Sequence, residues 1–455
     1  MATVRSKPLL TMFFVLWLAY GLAGAWTTTR ISATGDEPFY FLTADSLIHG
    51  EGFDLTERIA AIGSSSYAPD PPLPPQAYVA QTAPSLRSAG RYPLHDLGLS
   101  FVIAAPLAIG GRGLVVLLLG GAMAAAVVLG VRAARALGID DRAAIAGGAL
   151  TAVAVPALTY SGQVFPDTLA ALPIAVALCA LVGALPRSWL GIAVAALPLL
   201  HLRFWPIAVG LLLAGVLVGQ LHRGTAVRQL LPLAAAIVAI AAIDGSVYGL
   251  PVPHAGFLLF FREGAAGPVA AYAAHDAAGS LGLFFDRSRG LIPAAPIALV
   301  AFVGAGVLLM ARLGRIVLLA IAPYLLLVSF LDWTGAYSPH ARYLAPLVAL
   351  LVILVGRGVG RVPAATAVLG AWTMIQSGIY VVAAELRYDR LGQPPLADQA
   401  WIGVVGFTPS ALFPVVAGDL TPQLVVALAA AAAAVLVGAW SVRPARAVAL
   451  GRRAA

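Results

Sequence analysis

The sequence is short of charge, of lysine and of cysteine. Asp, Glu, Lys and Arg make up 11% of its 455 residues, Lys7 is the one lysine among 28 basic residues, and Cys179 is the one cysteine. A single cysteine excludes an internal disulfide and any Cys-x-x-Cys metal site. There is no HExxH, no Walker loop and no GxGxxG loop in a strand–helix setting, so neither a zinc protease nor a nucleotide-binding domain is expected. The short alternating segments of a β-barrel are missing too. The net charge of +8 does not gather into one patch. Basic residues stand in small groups between apolar runs, which suits membrane topology and argues against nucleic-acid binding.

What is present is hydrophobic length. The chain is 60% hydrophobic with a mean hydropathy of +0.91, against about 45–50% apolar residues in soluble domains. Backbone groups in lipid must bond within their own segment, so the expectation is an all-α polytopic membrane protein. Arginine then serves as a compass, because basic residues collect at cytoplasmic span ends. They fall at Arg5/Lys7, Arg132/Arg135/Arg142, Arg187, Arg223/Arg228, Arg312/Arg315, Arg357/Arg361 and Arg443 through Arg453. Each apolar stretch between such points must cross an even number of times. This predicts about twelve spans, near 9–26, 113–135, 143–160, 168–185, 189–201, 205–220, 230–250, 291–311, 316–331, 343–356, 363–385 and 422–441. Both termini are then cytoplasmic. The acids segregate the other way: of 20, only Asp140 and Asp141 fall in an inner loop. The run Leu9–Trp26, although followed by nothing more than a weak cleavage site at Ala23-Gly24-Ala25, is long enough to be a retained first helix.

The sequence reads as a single membrane domain over 1–455, with no separate soluble domain and no internal repeat. Three outer segments are substantial, at 27–112, 251–290 and 386–421. In the first, Pro38 suits a helix start and Gly50 a stop. Phe41, Ala44 and Ile48 share a face, so 38–49 is expected to lie along the membrane surface. "APDPPLPP" (68–75) must be extended or turn-like, and 97–111, too short to span and carrying Pro106, is expected to be re-entrant or interfacial.

Asp36 and Glu37 stand where the chain leaves its first span. Either could cap the helix that follows; either could instead be a carboxylate base at the water–lipid boundary, where partial burial raises proton affinity. Further polar residues gather at outer span ends: Asp167 in "SGQVFPDTLA", His201 and Arg203 in "LLHLRFWP", Arg287 and Arg289 in "FFDRSRGLIPAAP", and His340, Arg342 and Tyr343 in "DWTGAYSPHARYLAP". An arginine at a helix end commonly snorkels and a histidine commonly bonds a carbonyl. Several arginines on the face that carries Asp36 nevertheless suit an anionic phosphate ligand.

Asp36-Glu37 in a first outer loop, the helix behind it, "RYPLHDLG" (91–98), "VFPD" (164–167), "SRGL" (288–291) and "PHARYLAP" (339–346) together resemble the C-type (GT-C) membrane glycosyltransferases. These enzymes use polyprenyl-phosphate sugars and include the protein O-mannosyltransferases and lipid A aminoarabinose transferases. The resemblance runs from residue 9 to about 360 and rests on motif order more than on any one motif. It implies a transfer of sugar to a lipid, glycan or protein acceptor at the outer face of the cell membrane, with inversion. Asp36 would be the base; Arg203, Arg342 and Arg289, with His201, would hold the donor phosphate. Glu37 joins Asp36 as a candidate catalytic acid. Asp167, Tyr40, Arg91, Tyr92, His95, Asp96, His340 and Tyr343 would contact sugar or acceptor. Here Arg91-Tyr92 is followed by Pro93-Leu94-His95-Asp96, where the aminoarabinose branch carries Glu-Lys-Pro after an aromatic residue, so that branch's substrate does not carry over.

A divalent metal would need Asp36, Glu37, His95 and Asp96 to converge; no ligand spacing supports it, and no cofactor is predicted. The competing function is a transporter or flippase of a lipid-linked or anionic substrate. Such proteins favour two similar halves and a midplane site, whereas these halves differ and the polar residues collect at one surface. An assembly partner without chemistry is the third reading.

Overall fold

Proline and glycine cut the apolar sequence into helices. The computed structural model describes residues 6–62, 67, 78–219, 223–262, 278–330, 338–384, 412–414, 416 and 422–442. The longer helices are α1 (Ser6–Arg30), α2 (Glu37–Ile48), α3 (Gly98–Ala136), α4 (Asp141–Val153), α5 (Pro166–Leu181), α6 (Ser188–Leu200), α7 (Trp205–Leu217) and α8 (Arg223–Val247). They continue with α9 (Ala255–Arg262), α10 (Ala278–Phe285), α11 (Ala298–Leu309), α12 (Arg312–Phe330), α13 (Val348–Val359), α14 (Pro363–Val382) and α15 (Pro422–Trp440). Short 3-10 turns at Leu202–Phe204 and Arg342–Leu347 open α7 and α13. The one strand pair among the described residues is antiparallel, β1 (Thr82–Ala83) against β2 (Tyr92–Pro93).

Each of the twelve stretches expected to cross contains helix, but not every one holds a helix of spanning length. Among the described residues seven helical segments are long and apolar enough to span a membrane: α1, α3, the last 21 residues of α8, α12, Arg342–Val359, α14 and α15. Four others, α5, α6, Leu202–Leu217 and α11, are apolar but have only 10–17 residues. Prolines and extended residues also interrupt two of the expected stretches: 143–160 breaks at extended Ala154 before Pro156, and 291–311 breaks at Ala295 before Pro296.

The centre is α3, α5 and α13, which pack on one another, with α4 and α11 against α13 and α15 against α11. Of the Arg342–Val359 segment 83% is buried, against 17% of α1 and of α15. The rim helices therefore present Leu18, Leu22, Val426 and Leu436 outward, as lipid requires. Close approach at the centre depends on glycine. A Cβ at Gly304 of α11 would strike the Leu354 carbonyl of α13, a small-residue seam of the kind that lets membrane helices meet backbone to backbone. α3 is broken at Gly110 and Gly111, the latter at φ +60, where glycine carries no Cβ penalty. The break falls between the 97–111 segment and the 113–135 span.

One element departs from expectation. The helix at 38–49 does not lie open on the membrane surface. α2 starts at Glu37, residues 37–44 are all buried, and it packs on α3. Leu55, Ile59, Tyr78, Ile103 and Val164 close around it. Its apolar residues encircle the helix instead of forming a stripe, so one-sided contact could not cover them. The proline-rich 68–75 and most of 386–421 lie outside the described residues.

Candidate functional site

Asp36 and Glu37 are neighbours put to opposite uses. Asp36 occupies the N-cap of α2 but makes no side-chain capping bond, so the capping role expected for it is corrected. Its carboxylate turns instead to Arg342, with Oδ2 accepting from Nη2 at 2.5 Å. Glu37 is the structural acid. It is fully buried, accepts from the Thr34 N–H at 3.0 Å and the Val164 N–H at 2.8 Å, and lies 3.7 Å from Arg112. Arg112 in turn donates to the carbonyls of Ile31 at 2.7 Å and Ser32 at 3.4 Å. Glu37 thus clasps the exit of α1, the start of α2 and the approach to α5. With both its oxygens engaged, Glu37 is committed to the protein, and Asp36 is the acid of the pair left partly exposed.

Around Asp36 the structure gathers four charges from four segments. Asp167 follows Pro166 in the first turn of α5. Its Oδ2 accepts from Arg203 Nη2 at 2.6 Å and from Arg342 Nε at 3.3 Å, while Oδ1 is buried without a partner among the described residues. Arg203 and Arg342 both project from 3-10 turns at the N-terminal ends of apolar helices. Ala341 reaches the second turn with φ +57, a left-handed conformation that is uncommon for alanine and that persists only when its surroundings impose it. Here they do: its N–H bonds the Arg289 carbonyl at 2.9 Å and its own carbonyl accepts from Leu344 N–H at 2.9 Å.

Two carboxylates and two guanidiniums cancel formally, and only Asp36 faces outward: its side chain is 29% exposed, the other three at most 8%. Arg342 stacks over Phe165 at 4.2 Å and Arg203 over Tyr343 at 5.3 Å, a favourable face for a desolvated cation. Burial alone would raise the Asp36 carboxyl, but Arg342, helped by Arg203, overrides it and holds the group well below the usual carboxylate range. The arrangement offers an accessible carboxylate beside two guanidiniums able to take an oxyanion.

A second polar group adjoins the first. The ring of His95 lies 5.4 Å from Phe39 and 5.3 Å from Tyr40, and His95 Nε2 and Tyr40 Oη are both buried without partners among the described residues. Burial lowers the proton affinity of His95 and, more strongly, of His201, where Arg203 adds to it. His201 Nδ1 accepts from the Arg203 N–H at 3.2 Å, so its 3.4 Å approach to Asp96 is a contact of a neutral ring and not an ion pair. Asp96 is held by the Leu202 N–H at 2.7 Å and by His254 Nδ1 at 2.6 Å. Trp205 donates to His254 Nε2 at 2.9 Å, which assigns the ring proton to Nδ1. A cavity of about 320 Å³ opens beside these residues. Phe101, Val102, Leu199, Ile240 and Ile243 line its apolar walls, and His95, Asp96, Asp244 and His254 its polar edge.

The other expected residues sit outside the cluster. Arg289 donates to the Ser338 carbonyl at 2.5 Å, and His340 stacks on Tyr380 at 5.6 Å, its pKa pushed down to about 3 by burial and Arg289. Both brace the segment that presents Arg342. Tyr343 contributes its ring beneath the guanidiniums and its carbonyl to Tyr324 Oη at 2.9 Å. The Arg91 backbone ties to Leu55 and Thr56, and Tyr92 Oη to Ser88 at 2.6 Å, which places the pair in the loop wall. Among the described residues no group of three or more His, Cys, Asp or Glu is placed to hold a metal. Sequence reasoning missed Arg112, Trp205, His254 and Asp244, whose Oδ2 accepts from the Ala255 N–H at 3.0 Å at the start of α9. Comparison with protein-family models, curated proteins and solved structures gives no match to this chain.

Proposed function

We propose that the protein is a membrane glycosyltransferase of the C-type fold, which moves a sugar from a polyprenyl-phosphate donor to a lipid, glycan or protein acceptor at the extracytoplasmic face. The observation that carries this reading is the cluster of Asp36, Arg342, Asp167 and Arg203: one partly exposed carboxylate beside two buried guanidiniums on a shared carboxylate anchor. A twelve-span topology with both termini cytoplasmic belongs to the same proposal.

The chemistry is a direct displacement. Arg203 and Arg342 grip the donor phosphate and stabilise its charge as it departs. Asp36 takes the proton of the acceptor hydroxyl as that oxygen bonds the anomeric carbon and the carbon–phosphate oxygen bond breaks on the opposite side. The sugar inverts, the proton rests on Asp36, and the electron pair leaves with the polyprenyl phosphate. Tyr40 Oη and His95 Nε2, which have no protein partner, suit sugar or acceptor hydroxyls. The largely apolar cavity at His95 suits a substrate that arrives attached to lipid.

The test is transfer by purified protein in vesicles containing host lipid extract. Labelled polyprenyl-monophosphate sugars, nucleotide sugars and a trans-bilayer flux assay run in parallel. Transfer from a lipid-phosphate sugar alone is the expected result. Transfer from nucleotide sugars would refute the donor class, and flux without transfer would replace the proposal with a transporter or flippase.

A further inference from the structure

We infer that Arg342 restrains Asp36 in the resting protein, and that a phosphate oxyanion taking Arg342 sets Asp36 free, so that the base becomes available only once the donor is seated. This rests on the proposed glycosyl transfer, and it adds an order of events which that reading does not require.

The asymmetry between the two carboxylates points to it. Asp167 is completely buried, binds both guanidiniums through Oδ2 and cannot leave without stranding Arg203 and freeing the Nε of Arg342. Asp36 is 29% exposed and holds Arg342 through one oxygen. An incoming phosphate competes for the same Nη2, and Asp36 is the acid that can yield to solvent or to an acceptor hydroxyl. Arg342 stays behind, because its Nε remains on Asp167 and its plane on Phe165.

Charge moves in the right direction as well. The resting cluster is formally neutral, so a bound anion leaves it negative and raises the affinity of Asp36 for a proton. Locked to a guanidinium, a carboxylate is a weak base; beside a bound phosphate it is a stronger one. No proton moves at the binding step. When the acceptor oxygen attacks, its proton passes to the freed Asp36 carboxylate, and the negative charge leaves on the phosphate.

A thermodynamic cycle on anion binding tests the restraint without relying on turnover. The dissociation constant of a short-chain polyprenyl monophosphate would be measured in nanodiscs for wild type, Asp36→Asn, Arg342→Gln and the double variant, with thermal unfolding as the fold control. Removing the competing carboxylate should tighten binding by about tenfold or more, and that gain should vanish in the Arg342→Gln background, since the competition runs through Arg342. Equal or weaker binding by Asp36→Asn overturns the inference. So does a gain that persists without Arg342, which would mean simple charge repulsion. Failure of wild type and Asp36→Asn alike to bind the phosphate removes the phosphate site itself, and with it the proposed function. Should Arg342→Gln not fold, wild-type initial-rate kinetics decide: donor-first ordered binding is expected, and random binding contradicts it.

Discussion

Where α11 meets α13, Gly304 lets backbone approach backbone with no side chain between them. Where α5 meets the turn before α13, Asp167 spends its carboxylate on Arg203 and Arg342. The first contact is stabilised by van der Waals packing, which glycine makes available in lipid. The second pays a desolvation cost for every charge it buries, and a buried ion pair is weak evidence of a stabilising role. Four of the chain's few charges stand together in this cluster, in a place where packing alone would not require them. The difference separates residues that make the body from residues that make the site, and it can be pressed from both sides.

The largest effect should come from the seam. Gly304→Leu drives a side chain into the Leu354 carbonyl and should cost more than about 3 kcal/mol, at or beyond the upper end of overpacking. Loss of folded protein on size-exclusion chromatography would register it, and normal yield would contradict backbone contact there. Next is Asp167→Asn, which takes the carboxylate from buried Arg203 and one of two from Arg342 and should cost about 3 kcal/mol by thermal unfolding. An unchanged melting point would mean that the arginines have other support.

Glu37→Gln keeps an oxygen for the Val164 N–H and loses the charge opposite Arg112. A fall of about 1–2 kcal/mol is expected, with transfer retained in the folded fraction; loss of transfer without loss of stability would return Glu37 to the reacting groups.

The smallest effect concerns pH. The Asp36 carboxyl is held below its usual value, so the stability from its pairing with Arg342 is complete above the unfolded carboxyl value of about 4. It is lost only as pH falls toward the depressed folded value. The difference in melting point between wild type and Asp36→Asn should therefore be flat from about pH 8 to 5 and shrink below about pH 4. A difference that changes between about pH 5 and 8 would assign that titration to another group.

Helix placement was legible in the sequence because apolar length and arginine spacing are local properties. Helices occupy the intervals between Arg132, Arg187, Arg223, Arg312 and Arg357. The burial of α2 was not legible, since the residues that enclose it come from loops and from α3. Asp36, Asp167, Arg203 and Arg342 could each be named as polar residues at outer span ends. Their pairing could not, because Arg342 reaches Asp36 across 306 positions and Asp167 across 175. Nothing local separates Asp36 from Glu37 either: the Val164 N–H and Arg112 decide which acid turns inward. Arg112 ran against the rule used to read topology, which treats arginine as a mark of the inner face. His254 sits among apolar neighbours in the sequence and acquires meaning only when Asp96 and Trp205 arrive from elsewhere.

The most direct test of whether the charged cluster is a reaction site or a clasp is to measure thermal stability and sugar transfer on one preparation of Asp36→Asn. The carboxylate is partly exposed and does not cap its helix, so the melting point should move by less than the equivalent of about 1 kcal/mol. Transfer from a polyprenyl-phosphate sugar should fall by about a hundredfold or more, the scale of a lost general base. Retained transfer, or a loss of transfer that merely follows a loss of folded protein, would show that Asp36 holds the structure and does not perform the reaction.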